Sequence, residues 1–231
     1  MKITKKVQTD PRSLRNIVIY FSPGIHILKE LGDIGRKLII ADKKNEAELM
    51  AAQADDTEFA LYESFSDIED IPELLRNQKR YDVIVLHRFD QFVDVIFNYR
   101  RDCEQASRLG DPYNVGYSVH LATNEMAMER ALFIGEFADT YIVTVTEKDK
   151  TDAAGNLVWV EPNLTSSLKV KVMSNFPIIV RATLDDKDRV VFQCKSKSGF
   201  SVKDSSGRLN TIERSIKDIL KKLGTDERKE R

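Results

Sequence analysis

Cysteine is nearly absent: Cys103 and Cys194 are the only two in 231 residues. Two cysteines cannot build a disulfide framework, so a reducing, intracellular setting is expected. Long apolar runs are missing as well. None approaches the roughly 18 residues that a membrane-spanning helix needs, so no membrane association is expected. The opening stretch MKITKKVQTDPRS carries charge without an apolar segment behind it, which argues against a secretory signal and for a cytoplasmic protein. Excess charge of either sign is also missing. A net charge of -1 gives no global field to draw the whole molecule onto nucleic acid or an acidic membrane surface, although local basic patches remain open. The 42% hydrophobic content is that of a soluble globular chain, and the length fits one sizeable domain with or without an appendage.

Glycine is scarce where it would matter most. The stretch Asn16 to Asp42 organises the chain: a strand from Ile17 to Tyr20, a turn at Ser22-Pro23-Gly24, a helix through Leu31, and a second strand from Lys37 to Ala41 that ends in Asp42. A hydrophobic strand running through a Pro-Gly turn into a helix is how a phosphate-binding loop begins. The frame G-x-x-x-x-G-K-[ST] falls on Phe21-Ser22-Pro23-Gly24-Ile25-His26-Ile27-Leu28 without a gap. Its four defining positions hold other residues. Phe21 and His26 replace the glycines that let backbone amides curl around phosphate. Ile27 removes the ammonium that meets the outer phosphates, and Leu28 removes the hydroxyl that holds magnesium.

Downstream, strands and helices alternate. Asn45 to Ala54 reads as a helix capped by Asn45, Glu58 to Glu63 as a strand, and Asp70 to Gln78 as a short helix with proline in its first turn. Tyr81 to Leu86 is a near-continuous apolar run, the pattern of a parallel strand buried on both faces. Arg88 to Leu109 is helical or mixed; after Gly110-Asp111-Pro112 a long helix spans Val115 to Phe137 and leads to a strand from Thr140 to Val145. The last third changes character. Asn156 to Val160, Pro177 to Leu184 and Arg189 to Cys194 read as strands joined by polar turns, which adds an antiparallel extension to a parallel sheet. A Ser/Gly/Lys-rich loop, Lys195 to Asn210, precedes a helix over Thr211 to Leu223 with Thr211 at its cap and Gly224 at its end. The expected division is a lead-in over residues 1–15, one domain over 16–223, and a flexible polar tail over 224–231.

In this order, IVIYFSPGI, KLIIAD, YDVIVLHRFDQF, YIVTVTEKDK and VVFQCKSKSGFSVKDSSGRLNT together resemble the phage RecA-like (Sak-type) P-loop ATPases, small single-domain relatives of RecA found in phage recombination modules. The resemblance spans about residues 15 to 223. It implies a three-layer α/β RecA-like P-loop fold, with a mainly parallel central sheet and an antiparallel C-terminal extension. It also implies a Walker B acid at position 87, where this chain has His87, and a site edge formed by Asp42, Thr146 and Glu147. With the loop lysine, the loop hydroxyl and the Walker B acid all replaced, the expectation is a pseudo-ATPase with no catalytic residues and no resident cofactor. Such a protein would act in DNA recombination or replication through single-stranded DNA or through a partner ATPase or recombination protein, as a homo- or hetero-oligomer in the host cytoplasm. Two alternatives stay open. One is an active ATPase that holds ATP and magnesium with an unorthodox loop; the other is a structural, virion-associated or inhibitory protein on the same scaffold.

Other constellations carry less. His26, His87 and His120 are scattered without metal-ligand spacing, so no metal is expected, even though His26 and His87 would lie near the ends of adjacent strands. Ser22 lacks the G-x-S-x-G surround of a nucleophile turn. The basic loop is the better candidate: Lys195, Lys197, Lys203 and Arg208 interleave with Phe200, a pattern suited to tracking phosphodiesters and stacking a base, although a merely solvated loop has the same composition.

Overall fold

A computed structural model describes residues 15–32, 34–78, 80–107, 116–195 and 201–224. Its core is laid down by strands whose side chains alternate between two buried layers. On β1 (Asn16–Phe21), Ile17, Ile19 and Phe21 join one layer while Val18 and Tyr20 join the other. The same division holds on β2 (Lys37–Asp42) and β4 (Tyr81–Leu86), where Val83 and Val85 face one way and Ile84 and Leu86 the other. Strands buried on both faces need helices on both sides of the sheet, which yields three layers.

The remaining strands are β3 (Thr57–Tyr62), β5 (Ala138–Thr151), β6 (Leu157–Pro162), β7 (Ile178–Leu184), β8 (Val190–Gln193), β9 (Lys203–Asp204) and β10 (Ile212–Glu213). Among the described residues the sheet runs β10-β8-β7-β1-β5-β4-β2-β3, with β6 paired to β5 and β9 to β7. The pairs from β7 through β1, β5, β4 and β2 to β3 are all parallel, whereas β8, β9, β10 and β6 join antiparallel. This is the expected parallel sheet with its antiparallel extension. β1 and β4 are not neighbours, contrary to expectation: β5 runs between them.

The helices are α1 (Glu46–Met50), α2 (Phe65–Asn77), α3 (Phe89–Ser107), α4 (Tyr117–Gly135), α5 (Ser166–Asn175) and α6 (Ile216–Lys222). Several differ from the sequence reading. α2 begins five residues earlier, because Ser64 and Asp67 form a reciprocal capping box that outranks Pro72 as a start signal. α5 was not anticipated; Thr165 caps it by accepting from the Leu168 amide, and it buries only Leu168 and Val172. α6 starts at Ile216 because Ser215, not Thr211, accepts from the Asp218 amide. β5 continues to Thr151 and folds back as a hairpin with β6. The Gly110-Asp111-Pro112 turn lies outside the described residues, as do residues 1–14 and the tail after Gly224.

The correction that matters most for function follows β1. No α-helix forms there. Ile27–Leu31 is a single 3-10 turn that ends at Gly32, where φ is +45°. Ile27, Leu28 and Leu31 all point into the core, so this turn is fixed by burial and not by a long amphipathic helix.

Candidate functional site at the carboxyl edge of the sheet

The Pro-Gly turn is a β-turn. The Ile25 amide donates to the Ser22 carbonyl (3.2 Å), with Pro23 and Gly24 between them and Gly24 at φ +89°, which suits glycine at the third position of a type II turn. The Ser22 amide donates to the Ala182 carbonyl on β7, and the Lys29 amide to the His26 carbonyl. These three loop amides are therefore turned to structural use and not toward an anion. Around them Phe21, Ile25, Ile27 and Leu28 are all buried in the layer that also contains Leu31, Val85, Ile142 and Ala182. At the positions of a phosphate loop's first glycine, its lysine and its hydroxyl, Phe21, Ile27 and Leu28 are core. Pro23, Gly24 and His26 stay at the surface, and Ser22 is half-buried.

Across the ends of β1, β5 and β4 the chain builds a buried polar network. His87, which follows β4, is completely buried. Its ring stacks on Phe21 with centroids 6.3 Å apart, so two of the replaced motif positions meet. His87 Nδ1 lies 2.9 Å from Thr144 Oγ1, which also accepts the Arg88 amide at 2.9 Å. With one lone pair used by that amide, the Thr144 hydroxyl proton is available to Nδ1. The ring proton then belongs on Nε2, 3.3 Å from Glu48 Oε2 and at ion-pair distance without good hydrogen-bond alignment. Burial pushes the Glu48 carboxyl up, but His87, Arg88 and His26 around it outweigh burial and hold it below the usual carboxylate range.

Arg88 adopts φ +56°, a left-handed backbone rare for a residue with a β-carbon, and such strain collects at functional sites. Beside it, Asp90 accepts from the Thr146 hydroxyl (2.8 Å) and amide (3.3 Å). Glu147 is held by Arg181 of β7 through two contacts, at 2.8 and 3.1 Å. A cleft of about 410 Å³ opens here, lined by Phe21, Pro23 to His26, Glu48, Arg88, Thr146 and Glu147. The cleft sits outside the carboxyl ends of parallel strands, where α/β folds bind ligands.

Of the expected site edge, Thr146 and Glu147 line this cleft. Asp42 does not: it is buried and accepts from the Lys44 amide, capping the turn after β2. His26 and His87 approach the same carboxylate, Glu48, although β5 separates their strands. His120 is elsewhere, stacked on Phe97. No group of three or more His, Cys, Asp or Glu among the described residues is arranged to hold a metal ion. In the basic loop, Lys197 and Phe200 lie outside the described residues. Lys195 and Arg208 are exposed, whereas the Lys203 ammonium donates to the carbonyls of Met173 and Phe176 at the end of α5, which commits it to holding that helix. No helix of the described residues is long and apolar enough to cross a membrane.

The sequence reading missed Glu48, Arg88, Asp90, Thr144 and Arg181. Arg88 and Asp90 were within reach, since residues directly after a buried parallel strand fall at this edge. Glu48 and Arg181 become neighbours of the site only through the strand order.

A magnesium nucleotide does not fit the loop as built: no ammonium or hydroxyl stands at its outer-phosphate positions, and a histidine already engaged by Thr144 and Glu48 occupies the place of the acid. Compared with known proteins, the chain matches the sequence profile of an AAA domain family over residues 33–207, more than half its length. The matched segment begins downstream of the loop frame and includes β4, β5 and the cleft residues from Glu48 to Glu147. No curated protein matches the chain.

Proposed function

The chain belongs to the AAA domain family of P-loop nucleotide-binding proteins, and from that premise we propose that it is a member whose phosphate loop has become core, acting without hydrolysis. Its work in this reading is binding: single-stranded DNA, or a partner ATPase or recombination protein, in phage-type recombination or replication. The observation that carries the reading is the burial of Phe21, Ile27 and Leu28 within the subunit, at the positions that would face phosphate. A loop that turns these side chains into the core lacks the ammonium and the hydroxyl that hold a triphosphate and its magnesium.

The test is calorimetric titration with ATP and magnesium, run beside a phosphate-release assay. The expected result is no saturable binding below millimolar nucleotide and no turnover.

A second reading, an active nucleotide-binding protein with an unorthodox loop, is favoured by one feature: the cleft beside Pro23 to His26, into which the cation of Arg88 and the imidazole of His26 contribute. Micromolar, magnesium-dependent ATP binding that is lost in Arg88→Ala would establish it and displace the first.

A further inference from the structure

The β5–β6 hairpin sorts its charges by face. Directly opposed residues of an antiparallel ladder share a side of the sheet, and the register sets Lys148 opposite Glu161, Asp149 opposite Val160, and Lys150 opposite Trp159. Lys148, Lys150, Trp159 and Glu161 therefore lie on one side. Glu147 and Asp149, both close to Arg181, lie on the other. On the basic side, three ammonium groups converge on one carboxylate. Lys169 of α5 contacts Glu161 directly, Lys150 Nζ lies at 3.3 Å and Lys148 Nζ at 3.8 Å.

Glu161 is 3% exposed, so it is the buried anchor of the group, while the lysines reach outward. Three positive charges against one negative leave a local excess of two. Each ammonium carries three donors, and the contacts within the cluster use few of them: Lys148 gives one to the Leu164 carbonyl, and Lys150 is more than half exposed. Like charges held this close are stabilised by a further anion. Trp159 stands opposite Lys150, half-buried, and its indole N–H donates to Ser201 Oγ (3.2 Å). Ser201 belongs to the Lys195–Asn210 segment, so the part of the basic loop that is described is anchored on this same strand.

We propose that this side of the hairpin, with Lys148, Lys150, Trp159 and Lys169, binds the phosphodiester backbone of single-stranded nucleic acid, Trp159 offering its face to a base. The inference rests on the reading of the chain as a non-hydrolysing binding protein and names the surface that reading leaves open. Ammonium groups supply sequence-independent affinity, and an aromatic ring beside them suits a single strand, whose bases are free to stack.

Trp159 is the only tryptophan of the chain, so its fluorescence reports on this surface alone. Titration with a twelve-nucleotide oligothymidylate should quench it, with affinity falling steeply as salt rises. Lys150→Ala should weaken binding and reduce the slope of log affinity against log salt by about 0.7, the share of one phosphate contact on a single strand. Glu161→Gln raises the local excess from two charges to three and should tighten binding with a steeper slope, a gain that misfolding cannot mimic. If the protein binds the oligonucleotide but Lys150→Ala and Glu161→Gln leave affinity and slope unchanged, the surface is wrong while the DNA-binding reading stands. If no oligonucleotide binds at low salt, both fall together. Equal, salt-sensitive quenching by a polyglutamate peptide, blocking the oligonucleotide, would assign the surface to an acidic protein partner and overturn the proposal.

Discussion

His87 Nδ1 lies 2.9 Å from the hydroxyl of Thr144, with the other ring nitrogen facing Glu48, so the residue standing where the resemblance places a Walker B acid is held on both sides. The histidine is not an idle replacement for an acid. It stands against a partly buried carboxylate contributed by α1 and, through Thr144, holds the end of β4 against β5. Restoring the acid should therefore damage the protein without repairing the chemistry. His87→Asp places a second carboxylate beside Glu48 in a fully buried position, and a buried charge left uncompensated costs about 3 kcal/mol or more. The expected outcome is a clear fall in the denaturation midpoint and no ATP hydrolysis. His87→Asn, which adds no charge, should lose less. A His87→Asp protein of native stability that hydrolyses ATP would refute the arrangement described.

Arg88, the next residue, tests backbone strain at the same edge. Its φ of +56° disfavours any side chain with a β-carbon by about 1 kcal/mol, a penalty glycine escapes. Arg88→Gly should therefore be more stable than Arg88→Ala by about that amount, although both lose the guanidinium. Equal stabilities by chemical denaturation would mean that this backbone conformation is not maintained in solution.

Much of this fold was legible because its strands are written in near-continuous apolar runs. IVIY, KLII and YDVIVL all lie in the parallel sheet, and their order predicted its architecture. What the sequence concealed was decided by short-range competition or by distance. The segment after Gly24 reads as the start of a helix, but Ile27, Leu28 and Leu31 are drawn inward by the core, and Gly32 stops the turn. α5 was missed because Leu168 and Val172 are its only buried residues, too few for a visible apolar face. The replaced loop residues were legible as losses. That Glu48 would stand against His87, or Arg181 against Glu147, depended on the strand order, which periodicity along one chain does not encode.

Acid should unfold the protein along a path set by its paired carboxylates. Burial acts to raise the pKa of Glu161, and the neighbouring lysines, Lys169 foremost, reverse that and hold it below the usual carboxylate range; Glu48 is held low in the same way by His87 and Arg88. A carboxylate depressed in the folded state adds stability that is fully present above its unfolded pKa and lost as pH falls through the folded value. Asp94, raised by burial, works in the opposite direction, so the loss is a balance with the paired groups dominant. Thermal midpoints should be level near neutrality and fall below about pH 5. Glu161→Gln should start lower at pH 7 and show a shallower fall in acid. A mutant whose acid limb parallels that of the wild type would show that Glu161 is not held in its lysine cage.

The last prediction concerns the loop itself. Ile27 is completely buried and Leu28 nearly so, both packed with Leu31, Val85 and Ile142, and neither reaches the cleft in which Arg88 and Thr146 lie. Writing the motif back as Ile27→Lys with Leu28→Thr would thus place an ammonium and a hydroxyl inside the core. An unpaired buried charge costs several kcal/mol, and the two apolar side chains removed add a cavity cost of their own. The double variant should lose about 4 kcal/mol or more of stability, accumulate as misfolded protein, or fold with the lysine forced outward. In none of these cases should it hydrolyse ATP, because Phe21 and His26 still stand where the loop needs glycine and His87 where it needs an acid. Far-ultraviolet circular dichroism on melting reads the first expectation and phosphate release the second. A double variant of near-native stability would mean that Ile27 faces solvent in the working protein. One that also turned over magnesium ATP would mean that the phosphate site is intact but for two side chains, and the reading of this loop as core would have to be given up.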